Sequence, residues 1–141
     1  VDYAHTPDAL KNILVSLRPH VKGKLVCVFG AGGDRDKEKR PFMGKVASVL
    51  ADITIVTDDN PRSESPMVIR EEIMKGCPSA QNVGGRSEAI SLGLSNLSDG
   101  DLLVIAGKGH ETRQEIAGTT IPFNDAAFVQ TQLNDVVGEV Q

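Results

Sequence analysis

Three short apolar runs, each followed by a polar loop, constrain the fold of this chain more than any other feature. The runs are Leu25–Phe29, Ile53–Val56 and residues 102–106, and helical patterns of apolar residues separate them. Continuous apolar strands bounded by turn residues are typical of parallel sheets that helices cover on both faces. The pattern therefore predicts an α/β fold, a Rossmann-like parallel sheet with right-handed crossovers and flanking helices.

Proline and capping residues mark the helices between these runs. We predict helices that begin at Pro7, Pro41 and Pro66, one that carries Ile90, and a last one capped by Asn124. A weak strand is predicted at residues 81–83, and a small antiparallel hairpin near the C-terminus at residues 116–121. The apolar faces predicted for the second and last helices are Phe42, Val46, Val49 and Leu50, and Val129, Leu133, Val136 and Val137.

The composition is that of one globular domain, residues 1–141. The chain is 40% hydrophobic and 24% charged with a formal net charge of −4, so it favours neither nucleic acid nor a membrane surface as a partner. No apolar run approaches the roughly 20 residues that a membrane-spanning helix needs. Cys27 and Cys77 do not make a disulfide framework, and both suit a reducing cytoplasm. Because the chain does not begin with Met, we expect a piece of a longer protein, and we expect a monomer.

Polar residues after the three strongest strands should meet at one edge of the sheet. Arg35 follows the first strand, Asp59 and Arg62 follow the second, and Glu111 follows the third. Ligands of such sheets bind beyond the carboxyl ends of the strands. Two guanidinium groups suit carboxylates and nearby acids suit an ammonium, so this rim fits a zwitterionic amino acid. Mutual Arg–Asp pairing on a solvated rim explains the same spacing equally well.

The glycine-rich loops do not match the phosphate-binding motifs. Residues 30–33 follow a strand, but the third glycine of a dinucleotide fingerprint would fall at Arg35. Residues 107–109 lack the earlier glycine of a Walker A loop, because that position is Leu102, and no Ser or Thr follows Lys108. We therefore predict no phosphate loop in this chain and interpret residues 30–33 as a tight turn.

The acidic and histidine residues give no clear metal site. Asp58 and Asp59 are able to bind a hard cation, or to form the acidic pair of a receiver domain together with Lys108, but a solvated turn is the favoured interpretation. His5 and His110 lack metal-ligand spacing. The sequence therefore predicts no metal ligands.

Four segments together resemble the Mur ligase family, and within it the branch that adds diaminopimelate. They are residues 2–7 (DYAHTP), 32–41 (GGDRDKEKRP), 59–62 (DNPR) and 107–111 (GKGHE). They occur in family order and span most of the chain. The resemblance implies a three-domain enzyme, of which this chain is the C-terminal amino-acid domain, while the N-terminal UDP-binding and central ATP-binding domains lie outside it.

The resemblance also implies a reaction. The whole enzyme would use ATP and Mg²⁺ to phosphorylate the D-glutamate carboxylate of UDP-MurNAc-L-Ala-D-Glu, and an amine of meso-2,6-diaminopimelate would then form the amide in peptidoglycan biosynthesis. The isolated chain is expected to be inactive. The alternative is a stand-alone α/β binding module or a receiver-like regulatory module.

The resemblance assigns residues to two ligands. Arg62 is expected to bind the distal carboxylate of diaminopimelate, and Glu111 its distal ammonium. No catalytic residue is assigned within this chain, and the terminal segment with Asp2 and His5 is expected to be loosely held. The diaminopimelate set is Arg35, Asp59, Asn60, Pro61, Arg62, Gly107 and Glu111, and the ATP and phosphate set is Asp2, His5 and Lys37.

Overall fold

A four-stranded parallel sheet forms the centre of the structure. The computed structural model describes the backbone of residues 1–140 and the side chains of residues 1–134. The strands are β1 (Leu25–Phe29), β2 (Ile53–Val56), β3 (Gln81–Asn82) and β4 (Leu102–Ile105). They lie in the order β3-β2-β1-β4, and Val26 is opposite both Ile53 and Leu103. The predicted parallel sheet is confirmed, including the weak strand, which pairs with β2.

Within residues 1–140, five α-helices cover the two faces of this sheet. They are α1 (Pro7–Leu17), α2 (Lys39–Leu50), α3 (Pro66–Met74), α4 (Arg86–Ser95) and α5 (Asp125–Val140). The side chains of α1, α2 and α3 pack on one face, and those of α4 and α5 on the other. The hydroxyl of Thr6 accepts a hydrogen bond from the Ala9 N–H at 3.2 Å, which confirms the predicted cap of α1. None of the described helices is both long and apolar enough to cross a membrane.

The apolar core is split by the sheet into two layers. Every side chain of β1 is buried, so β1 contributes to both layers. Leu14 of α1 packs with Cys27 on one side, and Ile90 of α4 packs with Val28 on the other. Burial raises the pKa of the Cys27 thiol to about 12, so this cysteine stays protonated as the predicted small core residue.

The apolar face predicted for α2 is confirmed only for Val46 and Leu50, which pack against the core. Phe42 and Val49 are exposed, with 65% and 66% of their surface accessible, and Met43 and Ala47 face the core instead. The reason is a close approach of α2 to α3 at Gly44, where an added Cβ would overlap the carbonyl oxygen of Ile73. The small residues of α2 therefore face its neighbour, and backbone proximity decides the orientation that the apolar spacing alone misassigned.

The last helix follows its predicted face only in part. Val129 packs against the core layer of α4, whereas Leu133 is exposed. Val136 and Val137 lie outside the described side chains. Within the described side chains, α5 therefore docks through its first turns.

A hairpin stands apart from the main sheet and confirms the predicted antiparallel element. Its strands are β5 (Arg113–Ile116) and β6 (Thr119–Pro122), which pair antiparallel. The turn is Ala117–Gly118, with φ of 51° and 77°, the positive values that two-residue hairpin turns need. All four residues of β6 are exposed, and in β5 only Gln114 is buried. Apolar burial therefore contributes little to the position of this hairpin.

Candidate functional site

A cleft of about 370 Å³ opens at the carboxyl edge of the sheet. The loops after β1, β2 and β4 form its walls. The cleft lies beside the boundary between β1 and β4, since the helix that follows β1 packs on one face of the sheet and the helix that follows β4 in the chain packs on the other. This is where open α/β sheets bind ligands. Six of the seven residues predicted for the amino acid line the cleft, namely Arg35, Asp59, Asn60, Arg62, Gly107 and Glu111.

Pro61 has a different role, because its backbone packs against the loop after β1. An added Cβ on Gly33 would overlap the carbonyl oxygen of Pro61, and the Gly33 N–H donates to the Asn60 carbonyl at 2.8 Å. Gly33 thus lets the two loops touch, as a turn glycine does where backbones meet closely. Pro61 supports one wall and is not among the residues that line the cleft.

Arg62 lies between the cleft and the hairpin. Its backbone has a φ of 53°, and its main chain pairs with β5 through Arg62 N–H to Glu115 O at 2.9 Å and Ala117 N–H to Arg62 O at 2.8 Å. Its Nε lies 3.0 Å from the Glu115 carboxylate, and its Nη1 donates to the Gly33 carbonyl at 3.0 Å. The alternative of arginine–acid pairing at the rim is therefore observed in part. The acid that pairs with Arg62 is Glu115, however, and not Asp59.

Asp59 is the buried acid of the cleft, with 7% of its surface exposed. Burial raises the pKa of its carboxyl, although the charges of Arg86 and Lys108 act in the opposite direction. Gln114 of the hairpin donates to the Asp59 carbonyl at 2.7 Å and fixes the backbone there. A ligand ammonium in the cleft would give this carboxylate a partner for its charge.

Asn60 and Glu111 share one buried partner. The Lys108 ammonium donates to Asn60 Oδ1 at 3.0 Å and to Glu111 Oε1 at 3.3 Å. A receiver domain would need Lys108 beside its acidic pair. Asp58 instead pairs with Arg70 and accepts from the Gly85 N–H, so neither the receiver nor the cation interpretation of Asp58 fits its contacts.

The three residues predicted for ATP are spread out. His5 lines the cleft beside Tyr3, with their ring centroids 4.8 Å apart. Asp2 extends the edge of β4, because its N–H donates to Ile105 O at 2.8 Å and its carbonyl accepts from the Gly107 N–H at 3.0 Å. The expectation of a loosely held terminus is thus wrong for Asp2. Lys37 lies 3.5 Å from Glu64 and does not line the cleft.

Several charged residues that support the cleft were missed in the sequence. Arg40 is buried, lines the cleft, and pairs with Glu64 at 2.7 Å and Glu72 at 2.8 Å. The Arg40 guanidinium lowers the pKa of Glu64 to about 2. On the other face, Arg86 and Asp125 form a fully buried pair at 2.6 Å. Their partners are distant in sequence, so no local pattern indicates these contacts.

The described residues contain no group of three or more His, Cys, Asp or Glu side chains arranged to hold a metal ion. The charged residues that line the cleft are four cations and three anions, namely Arg35, Lys39, Arg40 and Arg62, and Asp36, Asp59 and Glu111. Such a set is complementary in charge to a ligand that carries both carboxylate and ammonium groups.

Comparison with known proteins identifies the class to which this fold and cleft belong. Residues 1–109 match the family model described as "Mur ligase, glutamate ligase domain", so the chain belongs to the Mur ligase family. Two relatives, from Caulobacter vibrioides and Rhizobium meliloti, are 58% and 57% identical over 96% and 94% of this chain. Both are named UDP-N-acetylmuramoyl-L-alanyl-D-glutamate--2,6-diaminopimelate ligase. The chain spans 28% and 27% of their lengths.

Solved structures agree with this assignment. A structure of a ligase with the same name aligns with a TM-score of 0.90 and 43% identity, over 94% of this chain and 28% of that chain. A bifunctional folylpolyglutamate synthase/dihydrofolate synthase, solved with Mn, AMPPNP and L-glutamate, aligns with a TM-score of 0.61 at 20% identity, over 76% of this chain and 25% of that chain. The second likeness shows a shared fold alone.

Proposed function

We propose that this chain is the amino-acid-binding domain of an ATP-dependent ligase that joins meso-2,6-diaminopimelate to UDP-MurNAc-L-Ala-D-Glu in peptidoglycan biosynthesis. The observation that carries the proposal is the convergence of Arg35, Asp59, Asn60, Arg62 and Glu111 on one cleft. The relatives named for this ligase match almost the whole chain, which supports the same substrate.

The cleft offers a complementary group for each charge of diaminopimelate. In this proposal Arg62 and Arg35 receive the carboxylates, because guanidinium groups bind carboxylates through paired hydrogen bonds. Asp59 and Glu111 receive the distal ammonium. The chain thereby holds the other amine toward the activated carboxyl group, and correct positioning of two reactants is worth up to ~7–11 kcal/mol of a reaction barrier.

The remaining substrates are proposed to bind outside this chain. ATP with Mg²⁺, bound by a central domain, supplies a phosphorylated D-glutamate carboxyl group, and the UDP end of the precursor binds to an N-terminal domain. His5 and Asp2 would approach ATP from the domain junction, whereas Lys37 would first have to leave Glu64.

We further propose a monomeric cytoplasmic enzyme. Both cysteines are unpaired thiols in the interior, which suits a reducing compartment. Cell-wall precursor synthesis by such an enzyme would link it to cell shape and division.

The direct test is amino-acid choice by the complete enzyme. Phosphate release from ATP should require UDP-MurNAc-L-Ala-D-Glu together with an amino acid. Diaminopimelate should support turnover far better than lysine, which lacks the second carboxylate, and than glutamate, which lacks the second ammonium. Sites that pair polar substrate groups discriminate by roughly 10⁴. Equal or better turnover with lysine or glutamate would contradict the proposal.

A further inference from the structure

Lys108 is a fully buried lysine in the wall of the cleft, and the function proposed above assigns it no role. It follows Gly107 at the carboxyl end of β4, and its side chain runs into the protein rather than into solvent. A buried ammonium is costly unless every N–H finds an acceptor. Its partners therefore reveal what it does.

All three N–H groups of this ammonium have acceptors. They are Asn60 Oδ1 at 3.0 Å, Glu111 Oε1 at 3.3 Å and the carbonyl oxygen of Arg113. Lysine has three donors and no acceptor, so none is left for a ligand. Lys108 consequently acts on the cleft through the two side chains that it holds.

Its effect on Asn60 is to fix which end of the amide faces the cleft. Asn60 Oδ1 accepts from Lys108 and also from the Glu115 N–H at 3.0 Å, which uses both lone pairs of that oxygen. The reversed amide would place its own N–H groups against the ammonium. Asn60 lines the cleft, and no described hydrogen bond uses its Nδ2, so this donor is the end of the amide that is left for a ligand.

Its effect on Glu111 is complementary. One carboxylate oxygen of Glu111 is held by Lys108, while the half-exposed side chain still lines the cleft. The second oxygen is then presented to the ligand as an acceptor. One buried cation thus orients a donor and an acceptor that lie side by side.

We propose that Lys108 is a positioning residue that presents Asn60 as a hydrogen-bond donor to a ligand carboxylate and Glu111 as an acceptor to a ligand ammonium. The inference rests on the proposed function, since it assigns a polarity to two subsites of the amino-acid cleft. Lys108 itself touches no reacting atom.

The first test uses Asn60→Asp in the complete ligase, with steady-state kinetics and a thermal melt. Aspartate keeps an oxygen at the position of Asn60 Oδ1, which accepts from Lys108 and from the Glu115 N–H, so the Tm should stay close to that of the wild type. The donor is lost and a negative charge faces the ligand carboxylate. The KM for diaminopimelate should therefore rise about tenfold or more, while the KM for ATP changes by less than about twofold. An unchanged or lower KM for diaminopimelate would show that Asn60 presents an acceptor, and would overturn the proposal.

The second test uses Lys108→Met, with Lys11→Met on exposed α1 as the matched control. A folded Lys108→Met enzyme should show about a tenfold or greater rise in the KM for diaminopimelate, with the KM for ATP nearly unchanged. A purely structural role would change both KM values alike, and that result in a folded Lys108→Met enzyme would contradict the proposal. If Lys108→Met does not fold, Asn60→Asp decides the question.

The wild-type enzyme separates this inference from the proposed function. Absence of turnover with diaminopimelate in the wild type would overturn both. Turnover in the wild type with an unaltered KM in both variants would overturn the role of Lys108 alone.

Discussion

The sheet body and the hairpin border the same cleft, but different forces hold them in place. In the body, every residue of β1 is buried, and apolar side chains from five helices cover its two faces. In the hairpin, β6 is exposed throughout. Its described attachment to the body is polar: it bonds to Arg62, Asp59 and Asn60 in the loop after β2, and its Arg113 carbonyl accepts from Lys108 in the loop after β4.

The two sides of the site therefore have separate stabilities. Hydrophobic burial makes the body a cooperative unit, whereas a few hydrogen bonds hold an element that opens at lower free energy. Because the hairpin bonds to the residues that are proposed to bind the amino acid, ligand binding and hairpin order should be coupled.

The largest effect on stability is expected in the body, at the buried pair Arg86–Asp125. Arg86→Met leaves a buried carboxylate without its partner, and removal of one member of a buried pair costs about 3–5 kcal/mol. Arg18→Met is the matched control, because the Arg18–Asp52 pair is about 40% exposed and should contribute less than ~1 kcal/mol. Urea unfolding of the chain measures both values, and similar losses for the two variants would refute the distinction.

The next effect tests the orientation of α2. Met43→Ala removes a side chain that is only 2% exposed and should cost about 2–5 kcal/mol of unfolding free energy. Phe42→Ala removes a larger side chain from the exposed face and should stay within about 0.5 kcal/mol. Urea unfolding measures both losses. A larger loss for Phe42→Ala than for Met43→Ala would show that the face predicted from the apolar spacing is the buried one.

A smaller and local effect is expected in the hairpin. Gln114→Ala removes the donor to the buried Asp59 carbonyl, and an unsatisfied buried group costs roughly 1–3 kcal/mol. Amide hydrogen exchange should become faster in residues 113–122 and stay unchanged in β1. Equal acceleration in β1 would mean that the hairpin and the body unfold as one unit.

The smallest effect depends on pH and concerns the contact between the loops after β1 and β2. Glu64 accepts from Arg40 and from the Asp34 N–H, and these bonds lower its pKa from 4.5 to about 2. Its contribution to stability is therefore complete above pH 4.5 and is lost as the pH falls toward 2. Glu64→Gln should cost roughly 1–2 kcal/mol at neutral pH, with a difference from wild type that shrinks across this window. Urea unfolding at several pH values measures this difference in unfolding free energy. A difference that is constant with pH would show that the ionised Glu64 carboxylate does not stabilise the contact between the loops.

Most of the fold could be predicted because burial of strands on both faces leaves a continuous apolar run in the sequence. The rim residues Arg35, Asp59, Arg62 and Glu111 could be placed together for a related reason. Parallel strands bring their carboxyl ends to one edge, so the order of strands and loops already groups these residues.

The supporting polar network could not be predicted in this way. The Gln114 side chain bonds a carbonyl 55 residues away, and Arg86 pairs with an acid 39 residues away. Lys108 belongs to the motif at residues 107–111, which the sequence shows directly. Whether its side chain points into the cleft or into the interior depends on acceptors that come together only in the folded chain. The prediction of the buried face of α2 failed in part for the opposite reason. Here a local apolar pattern was visible, but close backbone packing at Gly44 outweighed it.

In the proposed function, Arg62 recognises the carboxylate that distinguishes diaminopimelate from lysine. The most direct measurement is kcat/KM for both amino acids with the complete ligase and its Arg62→Ala variant, with Arg18→Ala at the far edge of the sheet as control. Removal of one partner of a buried charge pair costs ~2–5 kcal/mol, so kcat/KM for diaminopimelate should fall roughly a hundredfold or more. Arg62→Lys should restore it only in part, because an ammonium lacks the planar fork. The KM for ATP should barely change, and lysine should gain relative to diaminopimelate. An unchanged ratio of the two amino acids in Arg62→Ala would contradict the account and leave residues 59–62 as a structural turn.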